Sequence, residues 1–302
     1  MTEPSVLFKF RDDSERTEQI LTNKQVWLSC PDQLNDPLEC KPGTIPSDWE
    51  AATIRKMEEM QILGVLVGLP GQPLPVTLFS LTERQTRKWR ERFRRLSHQG
   101  KVNAMRKLYS DHGIELSHPE AIFENMRERL SRVGIFSLSE GNDNELMWSH
   151  YGGSHTGLAL GFKRSQGSKL ASFRHTVRVV YADQKPQFTA GFKNEVSFRA
   201  TVDGRLESVS RVSFEDDVFR ASLSTKTLAW SYEREWRYVE EEHGLFNLPG
   251  PIESIVFGSR MPVQRREVYQ RLAREFVGGE VDFYEVKQSP QANGFFVEKI
   301  HA

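Results

Sequence analysis

Trp148-Ser149-His150-Tyr151-Gly152-Gly153-Ser154-His155-Thr156-Gly157, followed at once by the apolar run Leu158 to Phe162, is the stretch on which the reading of this chain turns. Histidine, tryptophan, tyrosine and serine crowd into ten residues and are broken by three glycines. Each polar tip needs a partner wherever it is buried, so such a cluster costs stability unless a site uses it. The polar loop Ser137 to Asn144 precedes it, and Met147 and Trp148 read as the start of a single helical turn. A strand then follows directly.

Outward from this stretch the signals are short strands. Ile135–Leu138, Thr156–Phe162, Thr176–Tyr181, Glu235–Val239, Ile252–Phe257 and Val281–Val286 each read as one. Near the start, Val6–Phe10 is a strand candidate, and a short helix capped at Asp13 or Ser14 runs through Leu21. Val26–Ser29 is another strand, and Leu34-Asn35-Asp36-Pro37 is a turn. Between them the pattern is helical, over Trp49–Gln61, Thr82–Gly100, Val102–Ser110 and Pro119–Arg132, with a Gly/Pro-rich connection after the first. The expected architecture is one α+β domain over residues 1–302, with a mixed or antiparallel sheet and a helical insertion at 45–132.

Composition narrows the function classes. Acidic and basic residues balance at 41 each, which gives no electrostatic case for a nucleic-acid binder or an acidic tail. Cys30 and Cys40 lack zinc-ligand spacing and are too few for a disulfide framework, so they read as reduced thiols. Met1-Thr2-Glu3-Pro4 has no basic start or apolar core of a secretory signal, and glycines and prolines interrupt the most apolar stretch, Ile62 to Leu81. The expectation is a cytoplasmic protein without membrane contact; the oligomeric state is not legible.

Three polar clusters can carry chemistry. Lys9 and Arg11 share one face of the first strand candidate, either as solvated cations or as ligand contacts. In the opening stretch, His150 and His155 are five residues apart, which is not the spacing of a helical zinc pair, so no metal is assigned. The bland alternative is a histidine pair that locks a turn. In Trp230-Ser231-Tyr232-Glu233-Arg234-Glu235-Trp236-Arg237, a strand would place Glu233 and Glu235 on one side and Arg234 and Trp236 on the other. Two carboxylates on one face repel unless they are solvated, paired or used. Their bland reading is a set of surface ion pairs with Arg237 or Lys226. The run from Arg84 to Arg95 is strongly basic, but Trp89, Phe93 and Leu96 form an apolar stripe within it, as on the solvated side of an amphipathic helix.

Taken together, Leu7–Arg11, Leu28-Ser29 with Leu34–Glu39, Phe136–Ser139, Met147–Tyr151 with His155 and Gly157, and Tyr232–Arg237 resemble the bacterial domain-of-unknown-function family twenty-nine seventy-one. The layout is also similar to that of ADP-ribosyltransferases. That resemblance implies an NAD-consuming enzyme, of toxin or phage-defence type, which modifies a nucleic acid or a protein. Carried onto this chain, it makes Glu235 the carboxylate beside the ribose, with Glu233 as the leading acid and Tyr151, or alternatively Ser149, as the central residue. Arg11 or Lys9 is then the cation of the first strand, and Trp148, Ser149, His150 and His155 lie around the bound NAD. This first strand lacks the His-x-Thr or Arg-Gly pattern, and no Ser-Thr-Ser triplet is present. The alternative is a non-catalytic module that binds a nucleotide or partner. A metal-dependent nuclease using Asp143, Glu145, His150 and His155, and nucleic-acid binding through the arginine-rich helix, complete the readings.

Overall fold

The computed structural model describes residues 3–68, 73–188 and 193–300. In chain order its first elements are β1 (Val6–Arg11), α1 (Glu15–Asn23), β2 (Gln25–Leu28), α2 (Ser47–Val67), α3 (Glu83–Arg94), α4 (His98–Ser110), β3 (Ile114–Glu115) and α5 (Ala121–Arg132). There follow β4 (Gly134–Ser139), α6 (Glu145–His150), β5 (Leu158–Lys163), β6 (Thr176–Arg178), β7 (Val180–Tyr181), β8 (Asn194–Ala200), β9 (Leu206–Val212) and α7 (Asp217–Ser224). The last are β10 (Thr225–Lys226), β11 (Glu235–Glu240), β12 (Gly244–Asn247), β13 (Ile252–Phe257), α8 (Val263–Leu272), β14 (Asp282–Gln288) and β15 (Phe295–Lys299). The protein is therefore α+β with a large mixed sheet.

Two compact units divide these elements: residues 1–41, 129–186 and 220–302 in one, and 42–128 with 187–219 in the other. The first is built on an eight-stranded sheet of order β15-β14-β13-β5-β1-β4-β11-β6. Its pairings are antiparallel except β13 with β14, which α8 connects as a parallel crossover. Strands β4, β5, β11 and β13 are almost wholly buried. Both faces of the sheet centre are covered, so these strands read as apolar runs rather than as alternating patterns. One face packs Leu7, Leu138, Leu160, Phe162, Tyr238 and Phe257. The other packs Phe10, Met147, Trp148, Ala159 and Val256, with Phe10 set edge-on to Trp148 at 5.0 Å.

The opening stretch turns the chain from α6 into β5. Asn144 caps α6, its Oδ1 accepting from Leu146 N at 2.9 Å and Met147 N at 3.2 Å. After α6 the chain reverses through Gly153, Ser154 and His155, all three at positive φ. It then passes so close to β1 that a Cβ on Gly157 would collide with the Arg11 carbonyl oxygen. The glycines in this stretch are thus steric, and they let β5 start directly beside β1.

In the second unit, α2, α3 and α4 pack Ile62, Val65, Phe93, Val102 and Met105 together, beside a small sheet of order β3-β9-β8. The helical region expected over Thr82–Gly100 breaks after Arg94, where Ser97 caps α4 by accepting from Gly100 N. The arginine-rich face of α3 is solvated, except that Arg90 is buried. Leu96, expected in its apolar stripe, lies beyond the helix and is 40% exposed. Pro70 and Gly71 of the Gly/Pro-rich connection lie outside the described residues. Among the described residues no helix is long and apolar enough to cross a membrane.

Two glycine substitutions separate these roles. Gly157→Ala is expected to lower stability by about 1–3 kcal/mol in urea unfolding, because backbone must move to admit the methyl. Gly64→Ala, inside α2 with open space around it, is expected to raise stability by about 0.5–1 kcal/mol.

Candidate functional site

Sequence places Glu233 and Glu235 two residues apart, and the structure brings their carboxylates together by an unexpected route. Glu233 ends a 3-10 turn, Leu228–Glu233, rather than lying in the strand. Arg234 is left-handed at φ 46°, and β11 begins at Glu235. The reversal sends Arg234 outward to Glu140, at 3.2 Å, while both glutamates turn inward and are over nine-tenths buried. The surface ion pairs expected for them are therefore corrected to buried ones.

Their partners converge from three segments. Arg237, fully buried on β11, donates from Nε to Glu235 Oε1 at 2.8 Å and from Nη2 to Glu235 Oε2 at 3.1 Å. It also binds Glu39, and donates from Nη1 to the Leu223 carbonyl at 2.7 Å. Lys226 of β10 reaches Glu233 Oε2 at 2.6 Å, Glu39 Oε1 at 3.2 Å and Glu235 Oε2 at 3.3 Å. Glu39 arrives on the turn that follows Asp36, whose Oδ1 accepts from Leu38 N at 2.9 Å. Three carboxylates against two cations leave one unit of negative charge when all five are ionised. Such a cluster survives burial only because every member has opposite-sign partners.

The environment drives the two acids apart. Burial pushes Glu235 up, but Arg237 and Lys226 outweigh it and hold the carboxyl down at about 2. Burial raises Glu233, and the opposing pull of Lys226 and Tyr151 does not cancel it. Burial pulls Lys226 down, yet Glu235, Glu39 and Glu233 together hold it above its ordinary value. A carboxyl whose partners favour its ionised form thus lies beside one whose burial favours the protonated form, the pattern expected of divided acid–base roles. Tyr151 donates from its hydroxyl to Glu233 Oε1 at 2.6 Å and accepts from Asn35 Nδ2 at 2.9 Å. Burial and Glu233 raise its pKa, so it stays a donor.

A hollow of about 180 Å³ opens onto this cluster. Glu39, Lys226, Glu233 and Glu235 form its acidic side, and Tyr151, Phe8, Phe10 and Lys9 line the rest. Lys9 crosses to the Ser137 carbonyl at 2.9 Å, and its ammonium lies 4.8 Å from the Phe136 ring centre. Burial and then Arg11 lower its pKa to about 8, against the pull of Glu235 and Glu233. A second hollow, of about 690 Å³, shares Lys9, Ser29, Gln33, Leu34 and Ser137 with the first. Lys9, Arg11 and Arg16 line it, with no carboxylate among the described lining residues. Arg11 Nε is buried there without a hydrogen-bond partner among the described residues. Trp27, about half exposed, stands at its edge with Leu245.

Glu235, Glu233, Tyr151 and Lys9 thus meet at one cavity, and Arg11 lines the adjoining one. Trp148, Ser149, His150 and His155 line neither. Trp148 is fully enclosed, its indole donating to the Asn142 carbonyl at 2.7 Å, so it is not available to stack on a ligand. His150 lies near the Tyr151 and Tyr232 rings, and His155 packs on Phe295 within reach of the Ser149 and Ser259 hydroxyls. Sequence assigns no site role to Glu39, Lys226, Arg237 or Arg16; the first three stand out only as charges that the fold buries.

Residues 147–238 match the family described as protein of unknown function DUF2971. That region holds Tyr151, Lys226, Glu233, Glu235 and Arg237, while Lys9, Arg11 and Glu39 lie before it. No curated protein and no solved structure matches the chain.

Arg237→Met is expected to destabilise the protein by about 3–5 kcal/mol in urea unfolding, since it leaves Glu39 and Glu235 buried with too little positive charge. Acid dependence gives a second test. With its folded pKa held at about 2, Glu235 contributes stability that is complete above the unfolded value near about 4.3 and fades as pH falls toward 2. Glu233, raised by folding, acts in the opposite sense and costs stability as pH rises past the unfolded value. Glu235→Gln should therefore flatten the loss of stability between about pH 4.3 and about pH 2 that the wild type shows.

Proposed function

We propose that this protein binds NAD across the two hollows and cleaves the nicotinamide–ribose bond, passing ADP-ribose to a macromolecular acceptor in the manner of an ADP-ribosyltransferase. One observation carries the reading: an acid-lined hollow and a cation-lined hollow share Lys9 as a common wall. A dinucleotide has the matching chemistry, a cationic nicotinamide-ribose end joined to an anionic pyrophosphate and a flat base. Lys9, Arg11 and Arg16 would hold the phosphates, and Trp27 would give the base a face to stack on.

In the reaction the C–N bond breaks and its electron pair leaves with neutral nicotinamide, so positive charge grows on the ribose. The residual negative charge of the buried cluster, held in place before reaction, favours that state. The acceptor nucleophile then bonds to the ribose carbon and gives its proton to Glu233, the carboxylate that folding makes the better base. Tyr151 keeps Glu233 aimed through their 2.6 Å bond. An enzyme that consumes NAD or modifies a macromolecule harms its own cell when unrestrained, which fits a toxin or phage-defence effector.

A second reading has its own support. Both oxygens of Glu235 already engage Arg237 and Lys226, which suits a module that binds a nucleotide and does not turn it over. NAD labelled in nicotinamide separates the two. Released label from the wild type, lost by at least ~100-fold in Glu235→Gln, is expected for the enzyme. Retention of intact NAD with every acceptor offered would instead make the protein a binding module. Arg11→Gln with Arg16→Gln should weaken NAD binding in calorimetry while sparing nicotinamide alone, because only the former carries phosphates.

A further inference from the structure

The second unit carries a feature that the NAD reading does not use. In the sheet β3-β9-β8, strand β8 is the outer member, and all seven of its residues are exposed. Val196 and Phe198 point to one face and are 57% and 56% exposed, while Glu195, Ser197 and Arg199 point to the other. Free strand edges invite pairing, and proteins usually blunt them with charges. Here the charges are spaced so that they would attract a second copy.

We infer that β8 is the contact strand of a two-fold homodimer, pairing antiparallel with β8 of a second chain about Ser197. The backbone sets the register. Ser213 N–H donates to the Lys193 carbonyl and Thr201 N–H to the Arg205 carbonyl, at 2.6 and 2.8 Å, so odd-numbered residues turn their peptide groups toward β9. The N–H and C=O groups of Asn194, Val196, Phe198 and Ala200 therefore face the open edge. Only pairings that match even residues with even ones satisfy them. A two-fold axis at Ser197 is such a pairing: Val196 exchanges hydrogen bonds with Phe198 of the other copy, and Glu195 stands opposite Arg199, twice. An axis at Val196 would set Lys193 against Arg199, and one at Phe198 would leave Glu195 opposite Thr201. Charge thus selects one register out of three. Within its own hairpin Arg199 uses Nε and Nη2 on Glu207, leaving Nη1, and Glu195 uses Oε1 for Ser213 Oγ, leaving Oε2. The same pairing joins Val196 and Phe198 of both copies into one apolar patch. One strand pair is a small interface, so the dimer is weak.

Sedimentation of the full chain from about 1 to about 300 µM tests this. The wild type should pass from monomer to dimer. Arg199→Glu should weaken association by at least ~10-fold, because it sets like charges opposite one another twice. Glu195→Arg should do the same. An equimolar mixture of the two variants should associate again, since each supplies the charge the other lacks, and that recovery also shows that both are folded. A monomer at every concentration, a dimer indifferent to either substitution, or a mixture that stays monomeric would each overturn the inference.

Discussion

Arg237 is the constraint on which the first unit depends. Its guanidinium has no exposure, and it ties Glu235 on its own strand to Glu39 from the turn after β2 and to the Leu223 carbonyl. A buried arginine must have its donors satisfied, so these segments meet in one arrangement or the charge is stranded. Lys226 repeats the logic from β10, bridging Glu39, Glu233 and Glu235. Replacing such a cluster with hydrophobic residues of similar volume often costs no stability. Its presence is therefore better explained by the field it projects into the hollow above it than by the stability it adds.

That field is divided. Arg237 and Lys226 favour the ionised form of Glu235, burial favours the protonated form of Glu233, and Tyr151 donates a short hydrogen bond to the second. Lys9 stands between the acidic hollow and the cationic one and is the least costly cation there to discharge, with its pKa brought to about 8. The proposed ligand carries both signs of charge, which matches this boundary.

Much of the sheet was legible, because runs such as Ile135–Leu138 and Ile252–Phe257 are apolar and bounded by turns, as strands buried on both faces should be. The strands β3, β8, β9, β10, β12 and β15 carry no such signal: β3 and β10 are two residues long, β8 is exposed throughout, β15 is only partly buried, and β12 lies at an edge. Helix α8 also gave no signal, since only Tyr269 is buried along it. At the site, the spacing of Glu233 and Glu235 and the strand face shared by Lys9 and Arg11 are legible in the residues, while Tyr151 enters only through the ADP-ribosyltransferase resemblance. The grouping of both glutamates on one strand face was replaced by a left-handed turn at Arg234, which sequence does not mark because arginine seldom adopts that conformation. The tryptophan and histidines of the opening stretch drew attention as reactive groups, but Trp148 fills the core instead. Arg237, Glu39 and Lys226 carry no local sign of burial; only long-range packing makes them central.

A crystal soaked with NAD is the most direct test of this account. Density with the nicotinamide-ribose end over Glu233 and Glu235, and the pyrophosphate against Lys9, Arg11 and Arg16, is the predicted result. A dinucleotide bound elsewhere on the chain, or both hollows empty while NAD is saturating, would contradict it.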